Sequence, residues 1–154
     1  MEEHGFSLDV TLRQGYELGV DFDGDGVADL VVDEPPPLGG GAGPNPARLL
    51  AAAVGSCMSA SLLYCLRRAR IDVPELRTTV HARMERNERG RLRIAGLTVT
   101  LHPELGPEHL ERTARCRELF EDFCIVGQSV QAGIPLQVEV APAPAALAGA
   151  PADG

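Results

Sequence analysis

A chain of 154 residues is long enough to bury one core, and its composition, 44% hydrophobic and 23% charged, is that of a folded domain and not of a disordered one. The net charge of -8, with no basic run longer than Arg67-Arg68 followed by Arg70, excludes the electrostatic footprint of a nucleic-acid binder. All 14 basic residues are arginine, which excludes a Schiff-base or pyridoxal lysine and the lysine of a P-loop.

In chain order, the first residues carry Glu2, Glu3 and Asp9 and no apolar run, so no secretory signal is expected and the protein is placed in the cytoplasm. Four cysteines in that compartment are expected to be reduced at rest. Leu8, Val10 and Leu12, then Leu18, Val20 and Phe22, alternate with polar neighbours, and the turn Gly24-Asp25-Gly26 leads into a third strand over 28–32. The acids of Asp21, Asp23, Asp25 and Asp29 imitate a calcium loop, but the twelfth place is Val32, and a hairpin turn is the expected role. No metal or cofactor is expected.

Pro35-Pro36-Pro37 ends the strand, and Gly39 to Gly43 predicts a flexible loop that lacks the spacing and the lysine of a phosphate cradle. A long helix starts after it, with Asn45 as cap and Pro46 in the first turn. Residues 49–66 are uncharged, as a membrane span is, yet Ala51-Ala52-Ala53 and Gly55-Ser56-Cys57 are small, which fits the buried axis of a core better than contact with lipid. Two strands follow over 77–84 and 92–101, the second changing phase at Ala95-Gly96, where a bulge at the glycine is expected. A second helix is predicted over 107–122 with Leu110, Ala114, Phe120 and Phe123 inward, then a short helical segment over 125–132 and a last strand carrying Leu136, Val138 and Val140. The order is β-β-β-α-β-β-α-α-β, an α+β domain of antiparallel sheets packed around a long buried central helix. It spans 1–140, and 141–154 forms an Ala/Pro/Gly-rich tail expected to be disordered.

Cys57 and Cys65 lie eight residues apart on the long helix, and Cys116 and Cys124 repeat that spacing. There is no Cys-x-x-Cys and no zinc spacing, and a single buried cysteine is ordinarily a small core hydrophobe. His81, His102 and His109 are scattered and build no triad.

The run Pro37-Leu38-Gly39-Gly40-Gly41-Ala42-Gly43-Pro44-Asn45-Pro46, then Leu49 to Ala53, Gly55-Ser56-Cys57 eleven residues after Pro46, and a second cysteine at Cys124, resembles the OsmC/Ohr superfamily of osmotically inducible and organic hydroperoxide resistance proteins. The resemblance runs from about Leu8 to Val140. It implies an intertwined homodimer with sites at the interface. It also implies a thiol peroxidase for organic hydroperoxides, cytoplasmic, with Cys57 as peroxidatic nucleophile, Cys124 as resolving cysteine through an intramolecular disulfide, and a thiol reductant as partner. Cys65 and Cys116 are left outside the site.

The chain departs from the peroxidase pattern at the helix start, where Ala47 replaces the glutamate that holds an activating arginine. Arg13 takes that arginine's part if the first hairpin is longer; without the gap the place falls on Glu17, and Arg48 is a third option. The alternative function is a dimeric small-molecule-binding or redox-sensing protein, for an apolar ligand and with little turnover. Neither nucleic acid nor membrane is an expected partner.

Overall fold

The computed structural model describes residues 4–24 and 26–142. Strands β1 (Asp9–Gln14), β2 (Glu17–Asp21) and β3 (Leu30–Val32) form an antiparallel meander in that order. On β1, Leu12 pairs with Leu18 and Gln14 with Glu17, so Arg13 is the extra residue of a bulge. In the calcium-like run, Asp21 Oδ1 accepts the Asp23 amide at 2.8 Å, which uses that carboxylate in the turn; Asp25 lies outside the described residues.

Behind β3, Asp33 is buried, and its carboxylate accepts the amides of Glu34 at 2.8 Å and of Gly40 and Ala42 at 3.0 Å each. A Cβ on Gly39 or Gly43 would run into the carbonyl oxygens of Glu34 and Val31. The glycine loop expected to be flexible is therefore wrapped tightly around an acid, and its glycines serve close backbone approach.

Helix α1 (Pro46–Arg68) starts as expected, with Asn45 Oδ1 accepting the Arg48 amide at 3.0 Å. At the other end Arg112 donates to the Ala69 carbonyl at 2.8 Å, which satisfies one of the terminal acceptors. Val54, Met58, Leu62 and Leu66, four residues apart, form one inward stripe and pack with Ile71, Cys116, Phe120 and Cys124 as the core. Gly55 lets α1 approach the next strand: a Cβ there would stand 2.6 Å from Val80 Cγ2, and the Ser59 and Thr78 hydroxyls share a hydrogen bond of 2.6 Å beside it.

The opposite side of α1, with Ala52, Ala53, Ser56, Ala60 and Tyr64, is exposed. The expectation of a helix buried all round is thus corrected for a single chain, because one chain supplies one packing layer. By length and a mean hydropathy of 1.8, α1 could cross a membrane, but its inward stripe is occupied by a protein core.

Strands β4 (Leu76–Arg86) and β5 (Leu92–Pro103) make an antiparallel pair. Arg83 faces Gly96 while Met84 faces Ile94, which leaves Ala95 as the extra residue, one place before the glycine at which the bulge was expected. The single helix expected over 107–122 is broken. A 3₁₀ turn (Pro107–His109), α2 (Ala114–Leu119) and a second 3₁₀ turn (Phe120–Phe123) lead to α3 (Ile125–Ala132). The inward residues here are Thr113, Cys116, Phe120 and Cys124, whereas Leu110, Ala114 and Phe123 are exposed. The cysteines themselves carry the apolar periodicity, so a face drawn through Leu110 and Phe123 was rotated away from the core.

Residues 136–140 pair with no strand among the described residues, and Leu136, Val138 and Val140 stand in the open. A strand exists only by its ladder hydrogen bonds. The last strand of the expected order is therefore not formed by one chain, and the expected tail lies mostly outside the described residues.

Candidate thiol redox site

Cys57 sits on the fourth turn of α1, half-buried, and Cys124 is fully buried as the N-cap of α3. The two are free thiols and interact directly, sulfur to sulfur. Cys124 Sγ accepts the Gly127 amide at 3.2 Å, as a capping side chain does. Because α3 starts at this cap, its unpaired amides and the positive end of its dipole open toward both sulfurs.

Environment separates the two thiols. Burial pushes Cys57 up, but the hydrogen bond from Cys124 and the amides of Val126, Gly127 and Ile125 outweigh it and leave Cys57 below the ordinary thiol range. Burial raises Cys124, and its bond to Cys57 and the Cys57 charge raise it further, against the Gly127 amide and a hydrogen bond with Ser61. Of the two, Cys57 is thus the thiol that gives up its proton more readily and Cys124 the one that keeps it.

The other predicted residues are placed elsewhere. Arg13, on the β1 bulge, has its Nε 3.2 Å from Glu17 Oε1 and is half exposed, so the two alternatives for the arginine's place form one ion pair. Arg48 is exposed on the first turn of α1 beside Ala47. The strongest influences on Cys57 are burial, Cys124 and three amides, and no guanidinium is among them. His81 and His102 are exposed on β4 and β5, and His109 lies 3.5 Å from Glu108.

Cys65 and Cys116 are bonded to each other, with Cα atoms 5.7 Å apart. The expectation of four reduced cysteines is corrected for this pair: the inward stripe of α2 carries Cys116 onto α1 at Cys65. Sequence reasoning also passed over Ser61, Gly127 and Asp33. Gly127 had a readable signal, a glycine three residues after a cysteine at a helix start. A Cβ at that position would run into Met58 Cε and stand 3.0 Å from Cys124 Sγ. A cavity of about 290 Å³ adjoins this point, lined by Leu50, Val54, Met58, Leu97, Gly127 and Val130 among others.

The model of one family, described as OsmC-like protein, matches residues 39–139. No curated protein matches the chain in sequence. Among solved structures, an OsmC-like protein of unknown function from Vibrio cholerae is similar, with TM-score 0.66 and 20% identity over 85% of this chain and 95% of that one. An organic hydroperoxide resistance protein from Elizabethkingia anophelis has TM-score 0.58 and 24% identity, covering 84% and 91%. One from Bacillus subtilis has TM-score 0.58 and 22% identity, covering 82% and 91%. At these identities the structures establish a shared fold, and the family model, matching about two thirds of the chain, establishes descent: the protein belongs to the OsmC-like family.

Proposed function

We propose that the protein is a thiol peroxidase for organic hydroperoxides. The reading rests on one observation: two free, neighbouring cysteines whose surroundings lower the pKa of Cys57 and raise that of Cys124. The Cys57 sulfur attacks the O–O bond of ROOH, forms its S–O bond and releases alkoxide, which takes a proton and leaves as ROH. Cys124 then attacks the Cys57 sulfenic acid; a disulfide forms and water departs. A dithiol reductant returns two electrons and two protons. The apolar cavity beside Met58 and Gly127 suits the organic part of such a substrate.

The functional unit in this reading is a homodimer. The apolar side chains of β1, the uncharged outer side of α1 and the unpaired 136–140 segment are surfaces that a second copy covers. Arg13, pre-oriented by Glu17, is the guanidinium that such a copy brings toward Cys57, with Glu17 in the part vacated at Ala47.

Purified protein with a dithiol reductant is expected to consume cumene hydroperoxide. Cys57→Ser should remove this activity, and Cys124→Ser should allow one turnover and then accumulate Cys57 sulfinic acid, read by intact mass. Undiminished consumption by Cys57→Ser would sink the assignment.

The replacement of the usual glutamate by Ala47 favours a second reading, a dimeric binding or redox-sensing protein. In it the same thiols close slowly and the cavity holds an apolar ligand without turnover.

A further inference from the structure

α1 and the segment from Cys116 to Cys124 run side by side as two rails with a pair of sulfurs at each end. Eight helical residues separate Cys57 from Cys65, a rise of about 12 Å, and eight residues separate Cys116 from Cys124 on the facing rail. The outer pair, Cys65–Cys116, is bonded, and the inner pair, Cys57 and Cys124, is free. Leu62 and Phe120 pack between them in the core.

The second rail has little stiffness of its own. It consists of a six-residue helix, a 3₁₀ turn of four and then α3, each below the length at which a helix holds in isolation. Yet it carries both things that Cys57 needs, the Cys124 thiol and the amides of Ile125, Val126 and Gly127. Besides apolar packing and the polar contacts of Cys124 and the α3 amides with Cys57 and Ser61, the rail is tied to α1 by the covalent bond at Cys116, and just before it Arg112 bonds the Ala69 carbonyl at the end of α1.

We propose that Cys65 and Cys116 are positioning residues, whose bond clamps the Cys116–Cys124 rail onto α1 and thereby holds Cys124 in register with Cys57. The clamp takes no part in electron transfer, since its sulfurs lie two helical turns away from Cys57. It acts by raising the effective concentration of one thiol at the other. The inference rests on the inner pair being the reactive one, and it deepens the peroxidase reading without requiring a hydroperoxide.

The test uses the full chain with Cys65→Ala and Cys116→Val together, which removes the bond and keeps an apolar filling. With the inner thiols reduced, diamide is added and closure of Cys57–Cys124 is followed by mass, alongside the pH midpoint of Cys57 alkylation by iodoacetamide. Closure is expected to slow by about tenfold or more, and the alkylation midpoint to move up as the α3 amides lose their aim. Urea unfolding separates these effects from lost stability. Closure and midpoint within twofold and within experimental scatter of the unaltered chain would overturn the clamp.

A variant that does not fold leaves the native sequence as the probe. Poised in glutathione buffers of graded potential, it should show Cys57 alkylation at fixed pH falling in step with the opening of Cys65–Cys116. Alkylation indifferent to that opening overturns the proposal equally. An unaltered chain that closes Cys57–Cys124 with diamide but ignores cumene hydroperoxide overturns the peroxidase reading alone, and the same rate ratio still judges the clamp.

Discussion

At the residue scale the site depends on backbone as much as on side chains. Cys57 is held below the ordinary thiol range against its own burial, and three of the opposing groups are amides of one helix start. The sign of the pH dependence follows. Nucleophilic reactivity grows as Cys57 loses its proton, so alkylation of Cys57 should rise with a midpoint below that of an unperturbed thiol. Cys124, raised by burial and by its neighbour, should stay protonated through that window. Ile125→Pro deletes one of the amides at the first helical position, where proline is tolerated. That variant should keep its circular dichroism and shift the Cys57 midpoint upward. A midpoint unchanged in Ile125→Pro would mean that the amide does not stabilise the thiolate.

At the element scale the glycine loop and β3 are joined through Asp33. Three amides on one buried carboxylate hold it below the usual carboxylate range, the Ala42 amide most strongly and against the effect of burial. Its contribution to stability is complete above the unfolded-state value of about 3.9 and is lost as pH falls through the lower folded value. Asp33→Asn replaces an acceptor oxygen by a donor facing amides. Its melting temperature is expected to fall at pH 7 and to approach that of the unaltered protein in strong acid. Equal melting temperatures at pH 7 would refute this role. Local features of this kind were partly legible in the sequence. The Asn45 cap could be read, and the β5 bulge to within one residue, because each depends on a few adjacent residues. Asp33 could not, because its partners lie seven and nine residues away in a loop whose path the sequence does not announce. The break in the helix predicted over 107–122 was missed for another reason: Cys116 and Cys124 were weighed as chemistry and not as apolar core positions.

At the scale of the whole molecule, particular apolar residues stand exposed on one chain: Val10 and Leu12 on β1, and Leu136, Val138 and Val140 beyond α3. The last strand was legible as a pattern, and its absence in one chain has a physical reason, because the alternation of Leu136, Val138 and Val140 requires a ladder that no described strand provides. In the dimeric reading, sedimentation equilibrium should give twice the chain mass at micromolar concentration. Val138→Asp should shift the protein toward the single-chain mass and lower its melting temperature in a concentration-dependent way. A single-chain mass for the unaltered protein would contradict the dimer. The family framework was readable from Gly39 to Cys57, a contiguous stretch, while the Cys65–Cys116 bond was hidden because it depends on how the segment after β5 docks.

The two rails also constrain how this gene can drift. A residue gained or lost between Cys57 and Cys65 turns everything beyond it by about 100° around α1, so Cys65 swings away from Cys116 while no individual side chain has been altered. The tip of the β4–β5 hairpin, residues 87–91, is exposed and remote from both sulfur pairs, and lengthening there leaves their register untouched. Among relatives that retain all four cysteines, insertions and deletions should gather at that tip and spare the two eight-residue intervals, even where the residues within those intervals have changed freely.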